Sequence, residues 1–304
     1  YQYLKNIMNI TSEQPKIIVV GSSSIDLVLN TEFLPQPNET VMAEKSESFF
    51  GGKGANQAVG TARLGASVYF IGCVGMDSFG QQILRNLVDE GINVGFVAET
   101  EDCPTGTAYV TAAQGVNAIV VVPASNYCLS INHVLEAEKI FSTTDLVMLQ
   151  LEIPMETVEA AMDLAVKNDK KVGIYASPAK RLSREVIQNA TFIVAKSNEL
   201  STIFGDEPRE EILRNYANKL FVRDDTNSTT YFNGSEMKYF LNDHDSVLHK
   251  MGMGDAFTAG FAVALCHGNS VADCVEFGNN VSLKVAKNRG SQSGLPFLKD
   301  VLEG

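Results

Sequence analysis

DLVMLQLEIPMETVEAAMDLAVKNDKKVGIY, residues 145–175, decides the fold. Asp145 to Leu151 is a short apolar run of strand length, and Met155 to Asn168 repeats its apolar residues at helical spacing. Lys171 to Tyr175 is a second short strand. Strand, helix, strand is the unit that builds a parallel sheet, because parallel neighbours need a crossover connection. The same alternation continues outward. Ser183 to Gln188 reads as a helix, Phe192 to Ala195 as a strand, Arg209 to Lys219 as a helix and Leu220 to Val222 as a strand. Toward the N-terminus, Lys16 to Gly21 (KIIVVG), a short apolar run ending in Gly, and Ser67 to Val74 read as buried strands. Gly75-Met76-Asp77 caps a helix from Ser78 to Glu90. The sequence therefore predicts an α/β fold: a parallel sheet with helices on both faces.

Two segments do not fit that body. Residues 27–50 alternate loosely and are broken by Pro35, Pro37 and Asn38, as in a hairpin or flap. Within residues 103–126, Thr105 to Thr111 and Ala118 to Val122 alternate around Gly115 and Asn117 like a second hairpin. Both are expected to join in one small sheet over the main one. Residues 1–15 read as a loose leader and 16–304 as one domain.

The totals exclude several classes. With 304 residues, 45% of them hydrophobic, the chain can bury a large core. A net charge of −12 argues against a nucleic-acid surface, which needs a basic face. No apolar run approaches the ~20 residues that span a bilayer, and Tyr1 to Lys16 lacks a basic-then-apolar signal pattern, so a cytoplasmic protein is expected. Five cysteines without a CxxC pair read as buried thiols in a reducing compartment. The four histidines show no metal-ligand spacing.

The chemistry concentrates at four places. Gly252-Met253-Gly254-Asp255-Ala256-Phe257 is a glycine turn, an acid and the start of an apolar helix. Such a turn aims unpaired N–H groups and the positive end of a helix dipole at one spot, which suits a transferring phosphoryl group. Asp255 is either a proton acceptor for an attacking hydroxyl or the helix N-cap. Gly51-Gly52-Lys53-Gly54-Ala55-Asn56-Gln57-Ala58 brings backbone close to a ligand and offers Lys53 and Asn56 to hydroxyl groups, or else simply caps a helix. Ser22 to Asp26 and Glu152 each follow a strand's carboxyl end, where open parallel sheets bind ligands. Glu152 is equally readable as a helix N-terminal charge. No GxxxxGK[ST] loop occurs, and no GxGxxG follows the first strand, which excludes a dinucleotide dehydrogenase.

In this order and at this separation, GGKGANQA (51–58) and GMGDAF (252–257) resemble the ribokinase-like carbohydrate kinase family. The resemblance runs from Ile17 to about Pro296 and includes Arg63-Leu64-Gly65-Ala66 and Gly72-x-Val74-Gly75-x-Asp77-x-Phe79-Gly80. Lys53 and Gln57 resemble the ribokinases rather than the fructokinases. The resemblance implies a Rossmann-like α/β body with a small β lid, often used to form a homodimer. It also implies transfer of the ATP γ-phosphate to a sugar CH₂OH with Mg²⁺, with D-ribose the first expectation. On that reading Ser24, Asp26, Gly52, Lys53, Asn56 and Glu152 hold the sugar, and Asp255 is the base. The amides of Gly252, Met253 and Gly254 form an anion hole. Lys196, Glu199 and Asn279 serve the nucleotide, and Glu199 serves the metal.

The departures from the family pattern lie on the nucleotide side. Lys196-Ser197-Asn198-Glu199 replaces Asn-x-x-Glu, and Val222-Arg223-Asp224-Asp225 replaces a Thr-Leu-Gly loop along the triphosphate. His249-Lys250-Met251 replaces the Asp-Thr tied to monovalent cations, so no dependence on such a cation is expected. Asp224 is expected to crowd the triphosphate, unless the short 199–220 segment carries the loop outward. The alternative function is accordingly a degenerate kinase that binds sugar with weak or no use of ATP.

Overall fold

The computed structural model describes residues 8–114, 116–241, 251–286 and 290–303. The chain begins with β1 (Lys16–Val20), β2 (Ser24–Asn30), β3 (Lys45–Gly51) and α1 (Lys53–Arg63). Next come β4 (Ser67–Gly75), α2 (Ser78–Asp89), β5 (Asn93–Thr100), β6 (Thr107–Ala113) and β7 (Val116–Val122). The alternating region holds α3 (Ile131–Glu136), α4 (Glu138–Phe141), β8 (Leu146–Gln150), α5 (Met155–Lys167), β9 (Lys171–Tyr175), α6 (Arg184–Asn189) and β10 (Phe192–Lys196). It continues with α7 (Leu200–Phe204), α8 (Arg209–Asn215), β11 (Leu220–Arg223), β12 (Thr229–Phe232) and β13 (Met237–Phe240). Then follow α9 (Met253–Cys266), α10 (Val271–Val285) and α11 (Leu298–Leu302).

The main sheet has nine strands in the order β13-β12-β11-β10-β9-β8-β1-β4-β5. Its strands from β11 to β5 pair in parallel, while β12 and β13 add an antiparallel edge. The apolar runs are continuous in the central strands, which are covered on both faces, while the edge strands β5 and β13 are partly exposed. Ile17 and Val19 of β1 pack with Leu146 and Met148 of β8 in one core, together with α1, α9 and α10. Ile18 and Val20 pack with Val147 and Leu149 in the other core, among α3, α5 and α6. The period of two along each strand thus divides one sequence pattern between two cores.

β1 pairs with β4 on one side and β8 on the other, so the direction of winding reverses beside β1. A crevice opens at the carboxyl ends of the strands at such a switch point. The segments 21–24 and 151–154 leave the sheet there. α9 is apolar almost all round and lies buried between the sheet and α10; Phe261 meets Phe192 and Phe221 at ring centroids 4.6 Å apart. Its N-terminus lies beside that of α1, at the same crevice.

The two segments outside the main body pair into one four-stranded sheet, β3-β2-β6-β7, with β2 and β6 parallel. β2 starts at Ser24, three residues before the expected Leu27, which makes Asp26 a residue of this lid. β5, β12 and β13 extend the sheet beyond the predicted strands. The helix predicted to run to Lys219 stops at Asn215, and Asn218 adopts a left-handed conformation (φ 55°) that turns the chain into β11. Among the described residues, no helix is long and apolar enough to cross a membrane.

Candidate active site

Gly252 ends the loop before α9 in a left-handed conformation (φ 76°) and is the helix N-cap. Asp255 is therefore the third residue of the helix, not its cap. This corrects the N-cap reading of Asp255. The carboxylate is 4% exposed and reaches across to α1, accepting hydrogen bonds from Asn56 Nδ2 (3.0 Å) and Gln57 Nε2 (3.1 Å). The amides of the first helical turn precede any intrahelical acceptor; the first such bond runs from Ala256 N to Gly252 O.

Gly52 caps α1 at φ 86°, and a Cβ there would lie 2.5 Å from Ser23 Cα. The glycine loop is thus packed against backbone 22–23, and its lack of side chains serves that crossing. What it presents to solvent is Lys53. Glu152 Oε2 accepts from Ser22 Oγ (2.5 Å) and from the backbone N of Lys53 (3.0 Å), while Oε1 stands 4.0 Å from Lys53 Nζ. Glu152 therefore does act as a helix N-terminal charge, but at α1 rather than at α5, which follows it in sequence. Ser24 Oγ donates to Asp26 Oδ1 (2.9 Å).

These groups surround one cavity of about 450 Å³ lined by Ser24, Asp26, Gly52, Lys53, Asn56, Glu152, Lys196, Glu199 and Asp255. Ala108, Val110, Ile119 and Val121 of the lid form its apolar roof. Burial pushes the Asp255 carboxyl up to about 6; Lys53 and the Asn56 and Gln57 amides pull it down, and Glu152 pushes it further up. Burial likewise pushes Asp26 up to about 6, with Ser24 and Lys53 opposing and Glu152 and Asp255 adding to the rise. Burial alone would lower the Lys53 ammonium, but Tyr175, Glu152, Asp255 and Glu199 outweigh it and hold the group protonated. The site sets Lys53 and Lys196 among four carboxylates, those of Asp26, Glu152, Glu199 and Asp255.

In the same cavity Lys196 Nζ lies 3.4 Å from Glu199 Oε1. Glu199 Oε2 and Asn56 Oδ1 are buried acceptors without a hydrogen-bond partner among the described residues. Such atoms are seldom left unpaired in a native interior, and because both residues line the cavity a ligand there can supply the missing partner.

Known proteins similar to this chain are carbohydrate kinases. A family model described as the pfkB family carbohydrate kinase matches residues 14–298. The chain belongs to this family. The ribokinase of Bacillus subtilis is 34% identical over 287 residues, covering 94% of this chain and 98% of that protein. The ribokinase of Lactococcus lactis is 33% identical over 290 residues, covering 94% and 95%. The solved structure of Arabidopsis thaliana ribokinase, complexed with ribose and ATP, superposes with a TM-score of 0.83 at 26% identity over 96% of this chain and 98% of that one. Ribokinase from Thermotoga maritima gives the same TM-score at 28% identity, covering 96% and 100%.

This carbohydrate kinase departs from the sequence expectations at its nucleotide side. Asn279 is fully buried behind α9 and lines no part of the cavity; its Oδ1 accepts from Arg223 Nη1 (3.0 Å) and Thr229 Oγ1 (2.9 Å), and its Nδ2 donates to Val275 O (2.8 Å). Arg223 is turned inward, donates to Ser282 Oγ (2.9 Å) and lies 4.5 Å from the centre of the Phe257 ring. Burial lowers its pKa to about 10. Asp224 folds back on its own turn, where Oδ1 accepts from Thr226 N (2.9 Å), Thr226 Oγ1 (2.6 Å) and Ser228 N (3.0 Å). Its charge is satisfied within the β11–β12 turn, and Asp225 is exposed. His249 and Lys250 lie outside the described residues.

Some site residues were missed in the sequence. Asn126 lines the cavity and clamps Ser23 by two backbone bonds of 2.9 Å. Its signal was only a Pro-Ala-Ser-Asn stop after a strand. Gln57 was noted as a family-like residue, with no indication that it bonds Asp255.

Proposed function

We propose that this kinase transfers the γ-phosphoryl group of ATP to the CH₂OH of D-ribose, giving ribose 5-phosphate. One observation carries the reading: the buried Asp255 carboxylate, at the N-terminus of α9, opens on the same cavity as Asp26, Lys53 and Glu152. The likeness to ribokinases, one of them solved with ribose and ATP, supports it.

Asp26 and Glu152 accept hydrogen bonds from sugar hydroxyls, Lys53 donates, and Asn56 Oδ1 is a further acceptor. Ser24 and the Gly52 backbone complete the grip. Asp255 takes the proton of the attacking hydroxyl. A carboxylate with a pKa near 6 is ionised at neutral pH yet more basic than an exposed one, as a general base should be. The amides of Gly252, Met253 and Gly254, with the positive end of α9, offset negative charge gathering on the phosphoryl oxygens. The apolar roof keeps water away from the reacting group.

We place the phosphates of ATP at the Lys196–Glu199 end. Mg²⁺ is held by few carboxylates and by substrate phosphates rather than by a protein cage. Glu199 fits that role through its unpaired Oε2, and no cage of three acidic, His or Cys groups occurs among the described residues. Bound Mg²⁺ would neutralise phosphate charge. Asn279 has no place in this proposal, and the satisfied Asp224 removes the main argument for a kinase that only binds sugar.

We also propose a homodimer through the lid, in the cytoplasm. β7 is an edge strand exposed along its whole length, with Val120 at 65% and Val122 at 41%. An unpaired apolar edge is a template for a second strand of the same kind. Sugar selectivity tests the main claim: a buried acceptor that loses its hydroxyl partner costs roughly 1–3 kcal/mol. Calorimetry should give ribose about fivefold or more tighter than 2-deoxyribose, and equal affinities would remove the ribose assignment.

A further inference from the structure

Gln57 and Gln150 are fully buried glutamines, one on α1 and one at the last position of β8. Neither belongs to the groups that hold the sugar, and Gln57 does not line the cavity. Gln150 Nε2 donates to Gln57 Oε1 at 2.7 Å, and Gln57 Nε2 donates to Asp255 Oδ1 at 3.1 Å. The direction of each bond is forced. An ionised carboxylate only accepts, so Gln57 must turn its NH₂ toward Asp255. That leaves the Gln57 carbonyl facing Gln150, which must then supply its own NH₂.

The last atom of the row has no partner. Gln150 Oε1 is buried without a hydrogen bond among the described residues, and a Cβ on Gly21 would collide with it. An apolar side chain at 150 would avoid that unsatisfied acceptor. The glutamine is therefore poorly explained as packing and well explained by what it holds.

We propose that Gln150 and Gln57 are positioning residues: Gln150 locks the Gln57 amide in the one orientation that donates to Asp255, and so fixes the carboxylate in its reactive position and charge state. The proposal rests on Asp255 being the base. Asn56 supplies the other donor to Asp255, but it also borders the sugar. The relay supplies a donor that does not depend on substrate.

The charged groups around Asp255 are Lys53 on α1, which favours its ionised form, and Glu152 after β8 and Asp26 on β2, which oppose it. Tyr175 of β9 packs on the neighbouring Gly254. Against this fixed background, loss of the Gln57 donor must raise the Asp255 pKa, because a bond to the charged form is removed.

The experiment compares kcat against pH for the parent, Gln150→Glu, Gln150→Met, Gln57→Leu and Asp255→Asn, with ATP-Mg²⁺ and ribose saturating, and measures ribose binding by calorimetry. Gln57→Leu removes the donor to Asp255 outright, and Gln150→Met removes the bond that orients it; neither adds a charge. A fully buried Glu at 150 is held protonated, and its O–H still donates to Gln57 Oε1. For Gln57→Leu we expect kcat to fall on the order of tenfold or more, since small displacements of a reacting group are costly. The acidic limb of its profile should rise by about one pH unit, the scale of a lost bond to a carboxylate, with ribose affinity held within about twofold. Gln150→Met should move the limb the same way, and Gln150→Glu should leave it close to the parent's. An unmoved limb in Gln57→Leu and Gln150→Met overturns the relay, and so does a fall in kcat without a shift. If Asp255→Asn keeps kcat within a few-fold of the parent, the base assignment fails instead, and the relay fails with it.

Discussion

Replacing Asp255 with Asn should stabilise the ligand-free kinase while abolishing its activity. Burial lifts this carboxyl from 3.8 to about 6. A carboxyl that holds its proton more tightly in the folded than in the unfolded chain opposes folding at any pH above both values. At ~1.4 kcal/mol per unit, the opposition is roughly 3 kcal/mol above pH 7. It is relieved as pH falls through about 6 and is gone below 3.8. Asn exchanges two bonds to a charged acceptor for weaker neutral ones: its Oδ1 accepts from Gln57 Nε2, and Asn56 must flip its amide so that its unpaired Oδ1 takes the new NH₂. The weaker bonding returns about 1–2 kcal/mol, which leaves a net gain of ~1–2 kcal/mol. For a domain of this size the expected rise in Tm is about 2–6 °C. Differential scanning calorimetry of the apo proteins at pH 8 and pH 4 measures it. A Tm for Asp255→Asn at or below the parent at pH 8 would refute the reasoning, as would a gap that persists at pH 4.

The same ionisation sets a rate profile: with a pKa of about 6, kcat of the parent should fall on the order of tenfold from pH 7 to pH 5, and a flat profile would separate Asp255 from the proton transfer. Arg223 has neutral partners only and a buried Nε without a bond among the described residues. Arg223→Met should thus cost no more than about 1 kcal/mol, since a buried cation already carries a desolvation penalty, and the KM for ATP should stay within threefold. A large rise in that KM would place Arg223 on the nucleotide. Cys103 and Cys128 stand at the two stems of the β6–β7 hairpin with sulfurs 2.9 Å apart. Diamide should therefore remove two of the five titratable thiols, and Cys103→Ser should prevent that loss.

The sequence carries the centre of the sheet well because the central strands are buried on both faces and lack polar interruption. Ile17 to Val20, Leu146 to Gln150 and Phe192 to Ala195 all fall where the apolar runs predict. β12 and β13 were not legible: Thr229–Phe232 and Met237–Phe240 are short, mixed in polarity and held by pairing with β11. The glycine turn and Asp255 were legible as a reactive pair, because few chemistries need both. Asp255's partners were not: Gln57 and Gln150 lie 198 and 105 positions away in sequence, and no local pattern marks a bond between them. The bonds of Asn279 were not legible either. Arg223 and Thr229 draw its amide into the core, a consequence of packing between β11, β12 and α10.

The central claim, sugar phosphorylation with Asp255 as base, is tested most directly by ribose-dependent ADP release measured beside ribose binding in the same two proteins. The parent should release ADP only when ribose and ATP-Mg²⁺ are both present, with ribose 5-phosphate as product. Asp255→Asn should bind ribose within about threefold of the parent and lose on the order of 10²–10⁴-fold in kcat. ADP release that ignores ribose, or an Asp255→Asn variant that turns over within a few-fold of the parent, would contradict the account.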